Sequence, residues 1–421
     1  MTRCLPLAAL TLVLSTALAA RADNWPQWRG PKNDGRSAET GLPTEWDQTK
    51  NVVWKLKLPG RGASTPAVWG DRLFLTSLDG NDVVLLCVGT DGKERWRQQL
   101  GAGGKANYKG GEGDDASASP STDGKHVWAA AGTGTLACFT VDGQKVWETD
   151  LQKYGKFRIR FGIHWTPALH KDRLYLQVMH QTAQKVVALD ALTGKEIWAV
   201  DRPGYGKGES PDTYASAFVW DGPGGPHVIA HGNDYCTAHK ADTGEEVWRV
   251  AGLNPSGHMA WRFVSSPLVT PDLVVVPSCK SGPTVALDPA KAKGTIEPGN
   301  PAELWRLKMT PDVVSPLLVD GLVYLLHSDI GELTAVEAKT GRVVYRKRLG
   351  TRQIYRGNMA YADGKIYVVG REGVGVVVQA GPEFKVLATN DLKEVVYASP
   401  AIANGRLYLR GREHLYAIGA K

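Results

Sequence analysis

Cysteine is scarce in this 421-residue chain, and it is never clustered. The five cysteines include no adjacent pair and no C-x-x-C, so paired-cysteine metal and redox sites are excluded. With no C-x-x-C-H, there is no covalent haem attachment and no built-in route for electrons to leave. Long apolar runs are also missing. Leu5 to Ala20 is short for a membrane span, and no other segment qualifies. The net charge is +7, yet no dense Lys/Arg block stands out, which argues against a nucleic-acid surface. Neither a phosphate-binding P-loop nor a G-x-S-x-G nucleophile elbow is present.

The start of the chain reads as a targeting segment, residues 1–22. Arg3 supplies a positive n-region, Leu5 to Ala20 an apolar stretch, and Ala20-Arg21-Ala22 a small-x-small cleavage site before Asp23. Cys4 precedes the apolar run instead of ending it, so no lipid-anchor site is expected. Cleavage removes Arg3 and Arg21 and takes the net charge from +7 to +5. The expected location is periplasmic or secreted. Of the remaining cysteines, Cys87 and Cys138 each sit five residues before a turn glycine in an apolar run, and buried thiols are expected.

The rest is a repeat. Ser/Thr-Pro followed by an apolar strand, a tight turn and a second strand recurs at Pro66, Pro120, Pro167, Pro267, Pro316 and Pro400. Ala217 and Ala360 fall where two further copies should have their proline, giving eight copies spaced 40 to 54 residues apart. A second element joins two more strands through a glycine turn and ends on an aromatic four residues later: Gly92/Trp96, Gly143/Trp147, Gly194/Trp198, Gly244/Trp248 and Gly341/Tyr345. The glycine suits a turn with positive φ, and the aromatic can pack between neighbouring sheets. Trp305 fits less well because Pro301 takes the glycine position, and Leu387 stands for the aromatic in the seventh copy.

Four short strands per 40 to 50 residues predict an all-β, eight-bladed β-propeller of four-stranded antiparallel blades over residues 51–421, preceded by an extension, 23–50. A seven-bladed ring is the alternative, because the seventh copy is degenerate. The eighth copy ends at its third strand, Leu415 to Ile418, and an orphan fourth strand, Val52 to Leu56, precedes the first copy. The N-terminal strand is therefore expected to complete the last blade, which removes two open sheet edges.

The motif A-x-D-x-x-T-G-x-x-x-W, spelled out by Ala188 to Trp198, resembles the pyrroloquinoline-quinone (PQQ)-like repeat. That family includes quinoprotein alcohol dehydrogenases and BamB, the propeller lipoprotein of outer-membrane β-barrel assembly. The opening Asn24 to Pro31 looks like the start of exported PQQ-repeat propellers of planctomycete-type bacteria. The resemblance implies the fold over roughly residues 50–419. Within it, quinoprotein enzymes bind PQQ beside Ca²⁺ over the propeller axis, and many carry an adjacent-cysteine disulfide. This chain lacks that cysteine pair. Its densest acidic group, Glu112, Asp114 and Asp115, reads as a solvated flexible loop instead of a calcium cage. No cofactor is therefore expected, and PQQ with calcium is the alternative.

Two smaller motifs have plain readings. His227 and His231 suggest a zinc pair, but four residues along a strand span ~13 Å, too far for one ion. Gly370-x-x-Gly373-x-Gly375 reads as a blade turn.

The candidate site is the segment before each Ser-Pro, which should rim the central channel. It offers Arg61, Arg158, Arg160, His164, Trp165, Tyr214, Trp261, Arg262, Arg352, Tyr355, Arg356, Asn358, Glu394 and Tyr397. Two readings stand. Arginines beside aromatics can hold a small anion or a glycan by bidentate hydrogen bonds and stacking. Alternatively they plug the channel and pair with Asp114, Asp115, Asp312 and Glu394. The expected function is a monomeric, non-catalytic binding or scaffolding module for envelope or secreted proteins or glycans. A PQQ-dependent dehydrogenase is the alternative, and a carbohydrate-active enzyme would need two carboxylates facing across the pocket.

Overall fold

A computed structural model describes residues 24–103, 112–222 and 224–420. The expected targeting segment and Gly110-Gly111 of the acidic loop lie outside the described residues. Eight antiparallel sheets follow one another around a ring, each four-stranded except the fourth, which gains a fifth strand. The count is eight, not seven, and the degenerate seventh copy is a complete blade running from Ala360–Ala362 to Val386–Asp391.

The second and third strands of a blade are covered on both faces by neighbouring blades, so they read as near-continuous apolar runs. Asp82–Gly89 is an example, buried from Val83 onward. The outermost strand keeps one face in solvent and alternates, as in Glu94–Ala102. Apolar side chains collect between blades: Trp128, Leu136 and Cys138 of the second blade pack with Trp165, Leu174 and Leu189 of the third. All four described cysteines are buried free thiols. Burial pushes Cys87, Cys138 and Cys236 up to about 12.

The ring closes as the sequence predicts. Val52–Lys57 pairs with His414–Ile418, Leu56 opposite Leu415 and Trp54 opposite Ala417, with a bulge between Val52 and Trp54. The same bulge sits beside the aromatic of the other blades: Trp96 faces Cys87, Trp198 faces Ala188 and Trp248 faces Ala238. This register corrects three expectations. Trp305 is fully in register opposite Ala286. In the seventh blade Ala388, opposite Val377, holds the aromatic's place, and Leu387 is the bulge residue. The proline position of that blade is Met359, because its inner strand begins at Ala360.

The aromatic and the glycine lock successive blades together. Trp54, Trp96, Trp147, Trp198 and Trp305 each donate from Nε1 to a carbonyl of the next blade (Thr90, Val141, Ala191, Ala241 and Ala338) at 2.8 to 3.1 Å. The indole lies on that blade's turn glycine. At Gly194, where φ is +67°, an added Cβ would stand 2.6 Å from Trp147, so the position excludes side chains on two counts. The lock is made at five of the eight junctions: Tyr345 of blade six has no indole and its buried hydroxyl no partner among the described residues, blade seven has Ala388 in the aromatic's place, and blade four keeps its indole but loses the bond. Between the third and fourth strands of blade five, residues 288–302 are inserted, and Trp248 Nε1 is buried with no partner among the described residues. The insertion compensates by adding Gly294–Ile296 parallel to Glu246–Val250, with Gly294 opposite Trp248.

Before the first blade, the extension crosses one end of the ring. Trp25 exchanges both backbone hydrogen bonds with Val68, Thr122 donates to Pro26 O, and Tyr361 is bonded to Gly35 and Ser37. Blades one, two and seven are thereby tied to one short segment.

Two outcomes are expected. Deleting residues 51–58 leaves the eighth blade three-stranded, and cooperative thermal melting followed by circular dichroism should be lost; an unchanged melt would refute closure by this strand. Burial also holds His180 and His239 down to about 4 and His231 to about 3. Each takes a proton near pH 6.5 only when unfolded, so its contribution is whole above that value and is lost as pH falls toward the folded value. His231→Phe should therefore flatten the fall in melting temperature between pH 7 and 5 relative to wild type.

Candidate functional site

The residue just before each proline position builds a hydrogen-bonded ring around the axis. Thr65 N–H donates to Ser119 Oγ, Thr166 N–H to Ser216 Oγ, Ser216 N–H to Ser266 Oγ and Ser266 N–H to Ser315 Oγ, at 2.9 to 3.0 Å. Ser315 N–H donates to Asn358 Oδ1, Asn358 N–H to Ser399 Oγ and Ser399 N–H to Thr65 Oγ1. Only the step from Ser119 to Thr166 is open, and Thr166 Oγ1 is buried without a partner.

Two residues upstream of each ring member the chain reaches the axis. The eight residues at that position, Ala63, Ser117, His164, Tyr214, Val264, Val313, Arg356 and Tyr397, all line one cavity of about 1050 Å³ including its mouth. Their sizes come in pairs. Blades one and two and blades five and six contribute small side chains, whereas blades three and four and blades seven and eight contribute large ones. The large pairs face each other across the ring, and the result is a slot.

Trp28 also lines the slot. Its Nε1 donates to Ser399 Oγ at 3.2 Å, and beside it the buried Arg29 donates to Pro316 O at 2.6 Å. Nothing in the repeat pattern signals Trp28, because it lies outside the repeats. Asp312, expected as a pairing partner, lies three residues before Ser315 and lines the slot, as does Lys280, which no motif signals.

The charges are matched locally. Arg356 donates to both oxygens of Glu112 at 2.9 to 3.2 Å and to Asp329 at 3.2 Å, and Arg371 reaches Glu112 at 3.5 Å. Despite burial, these carboxylates raise the Arg356 pKa above its ordinary value. Lys280 pairs with Asp312 at 2.8 Å. Arg262 pairs with Glu209 at 2.7 Å, with its guanidinium 4.5 Å from the Phe161 ring centre. Burial lowers the His164 pKa, against the opposing Phe161 carbonyl, Asp114 and Glu112, so the imidazole is neutral and contacts Phe161 O at 2.8 Å. Burial raises the pKa of Tyr214, whose buried hydroxyl lies by the Phe161 backbone, and also that of Tyr397.

Six of the fourteen expected rim residues line the cavity: His164, Tyr214, Arg262, Arg356, Asn358 and Tyr397. Arg158 and Arg160 lie in a separate open depression with Glu209 and Asp212. Trp261 stacks on His258 outside the cavity, Arg352 is exposed, and Arg61 is half-buried near the rim. Three placements correct the expectation. Trp165 is buried in the core between blades two and three, and Tyr355 is fully buried in the core around blades six and seven. Glu394 is consumed by hydrogen bonds from Glu413 N, His414 N and Tyr416 Oη; burial raises its pKa, but those bonds outweigh burial and hold it low. Of the expected pairing partners, Asp312 does hold a cation, Lys280, and Glu112, Glu209 and Asp329 hold the others in place of Asp114, Asp115 and Glu394. Asp114 and Asp115 are buried, not solvated, and Asp114 accepts from Ala116 N–H and Ser117 Oγ.

The geometry can be set beside known proteins. The family model described as outer membrane protein assembly factor BamB matches residues 37–107, 133–297 and 292–381. Among curated proteins, none matches the chain. BamB from Moraxella catarrhalis is a similar solved structure, 14% identical with a TM-score of 0.63, covering 88% of this chain and 97% of its own. A europium-containing methanol dehydrogenase is 11% identical with a TM-score of 0.66, covering 94% and 89%. The quinohemoprotein alcohol dehydrogenase of Comamonas testosteroni is 14% identical with a TM-score of 0.65, covering 96% and 82%. At these identities the likeness is one of fold.

The residues at the axis do not fit a quinone held beside a divalent cation. Such an ion needs a cluster of free hard-oxygen ligands. The two carboxylates lining the slot, Glu112 and Asp312, already accept from Arg356 and Lys280, and among the described residues no three acidic, histidine or cysteine side chains converge.

Removing Arg356 leaves Glu112 with only the longer Arg371 contact. Arg356→Ala should cost about 1–3 kcal/mol in urea denaturation, as for a part-buried charge that loses its partner, whereas Arg352→Ala should be near neutral.

Proposed function

This chain belongs to the family described as outer membrane protein assembly factor BamB, and from that membership we propose that it is a non-catalytic binding or scaffolding propeller of the cell envelope, exported through its N-terminal segment and presenting its loop faces to protein partners. The observation that carries the reading is the condition of the axial carboxylates. General acid–base work needs a carboxyl poised near the working pH, and metal-assisted work needs free oxygen ligands. Glu112 and Asp312 are instead bound to guanidinium and ammonium groups. They face the slot from the second and sixth blades, the arrangement a glycosidase would use, but each is tied as the structural partner of a cation.

No helix among the described residues is long and apolar enough to cross a membrane. Family membership supports an envelope setting, and the apolar stretch at residues 5–20 supports export.

The competing reading, a quinoprotein dehydrogenase, makes an opposite prediction. Full-length protein titrated with PQQ and Ca²⁺ should give neither a saturable quinone absorbance nor dye-linked oxidation of primary alcohols. Saturable uptake with dye reduction would replace the scaffold reading with an enzymatic one. On the positive side, cross-linking in envelope fractions should map one recurring protein partner to the loops of one face.

A further inference from the structure

The axial slot has features that scaffolding does not require, and they point to a ligand. We infer that it binds one small neutral polyhydroxylated molecule, a mono- or disaccharide, with the sugar ring held between the His164/Tyr214 wall and the Arg356/Tyr397 wall. This goes beyond the scaffold reading and does not depend on it.

Shape is the first argument. Small side chains at Ala63, Ser117, Val264 and Val313 leave the slot open along one direction, while the large pairs narrow it along the other. Trp28, from the extension that crosses one end of the ring, lines the slot as well. A concave site with aromatic walls and a few convergent polar groups suits a single small ligand. Aromatic faces at Tyr214, Tyr397, Phe161 and Trp28 suit the C–H faces of a sugar ring, since the negative π-face attracts the weakly positive hydrogens.

Charge is the second argument, and it separates a sugar from an anion. The lining cations Arg262, Lys280 and Arg356 each already hold a carboxylate within 2.7 to 2.9 Å. An anion would have to displace a resident carboxylate and leave it buried without its partner, which is costly. A vicinal diol need displace nothing. One hydroxyl can donate to a remaining lone pair of Glu112 or Asp312 while its neighbour accepts from the adjoining guanidinium or ammonium.

The aromatic wall is the third argument. Tyr214 lines the cavity and is 5% exposed, and its ring meets that of Phe161 edge-on at 5.8 Å, so the wall is fixed before a ligand arrives. The neutral His164 ring lies 5.5 Å from the Tyr214 ring on the same wall and adds no charge that would repel a neutral ligand.

The test is calorimetry and thermal shift on the full chain with glucose, galactose, mannose, maltose and cellobiose, against sulfate, malonate, and PQQ with Ca²⁺. At least one saccharide should bind saturably and raise the melting temperature, and neither sulfate nor malonate should. Tyr397→Leu removes a half-buried aromatic face from the opposite wall and should weaken that saccharide by about fivefold, with the melting temperature of the free protein near wild type. Ala63→Phe fills the open end of the slot from blade one and should abolish binding while melting stays near wild type. The proposal fails if no saccharide in the panel binds, if an anion or PQQ binds in their place, or if saccharide binding survives Ala63→Phe. These outcomes leave the envelope-partner reading standing, since that reading is tested by cross-linking and dye reduction.

Discussion

The structure depends on a ring of hydrogen bonds in which the residue before each proline position accepts from one neighbouring blade and donates to the other. Seven of the eight steps are made. The chemistry explains the Ser/Thr-Pro motif. A short hydroxyl side chain can accept beside its own backbone without filling the axis. Proline after it has no N–H that would need a partner in a crowded centre, and it holds the preceding residue extended. Asn358 keeps the ring intact in the blade whose proline is Met359, because an amide oxygen serves as acceptor as well as a hydroxyl does. Each bond is modest by itself, about 1 kcal/mol, but it fixes the angle at which every blade meets the axis. The side chain two residues upstream inherits that angle.

At the periphery a second set of contacts does the corresponding work. The indole of one blade caps the turn of the next, and glycine is required there because the indole occupies the space a Cβ would take. The insertion in blade five shows how such a lock can be replaced. Without a turn glycine at Pro301, Trp248 loses its acceptor, and a parallel strand from the insertion supplies backbone pairing at the same junction. Inner ring and outer lock are both relations between neighbours, so the order of blades is preserved even at the junctions where the indole bond is missing.

The repeat made the fold readable, because glycine, proline and tryptophan recur for backbone reasons that do not vary with function. The same regularity misled in small ways. Leu387 was placed at the aromatic position by counting, whereas a bulge residue stands between Val386 and Ala388 and moves the register by one. Ala360 was placed at the proline position for want of a landmark, and only the ring bond of Asn358 identifies Met359 there. The site was half legible. Residues that point along the axis and residues that point between blades share one short segment. His164 and Trp165 are neighbours in sequence, yet one lines the slot and the other fills the core. Sequence proximity to Ser-Pro could not separate them, whereas counting back two residues does. Trp28 and Glu112 carry no repeat phase, so Trp28 went unsignalled and Glu112 stood out as an acidic residue without its role as the partner of Arg356.

Separation of roles explains why this fold says little about activity. The ring position is constrained to serine, threonine or asparagine, and the turn and lock positions to glycine and an aromatic. The position two residues before the ring is constrained by neither, since its backbone angle is already set and its side chain faces open space. In this chain it holds Ala, Ser, His, Tyr, Val, Val, Arg and Tyr in order around the axis. A random filling would not place small residues in two opposite pairs and large ones in the other two. That arrangement needs no help from the ring to fold, and it makes a flat-sided slot where an even filling would give a round plug. Its carboxylates are matched to its cations across blades, Glu112 of the second with Arg356 of the seventh, so the walls are polar but carry little unbalanced charge. The axis of this propeller is thus specified by eight positions that neither the inner ring nor the outer lock constrains.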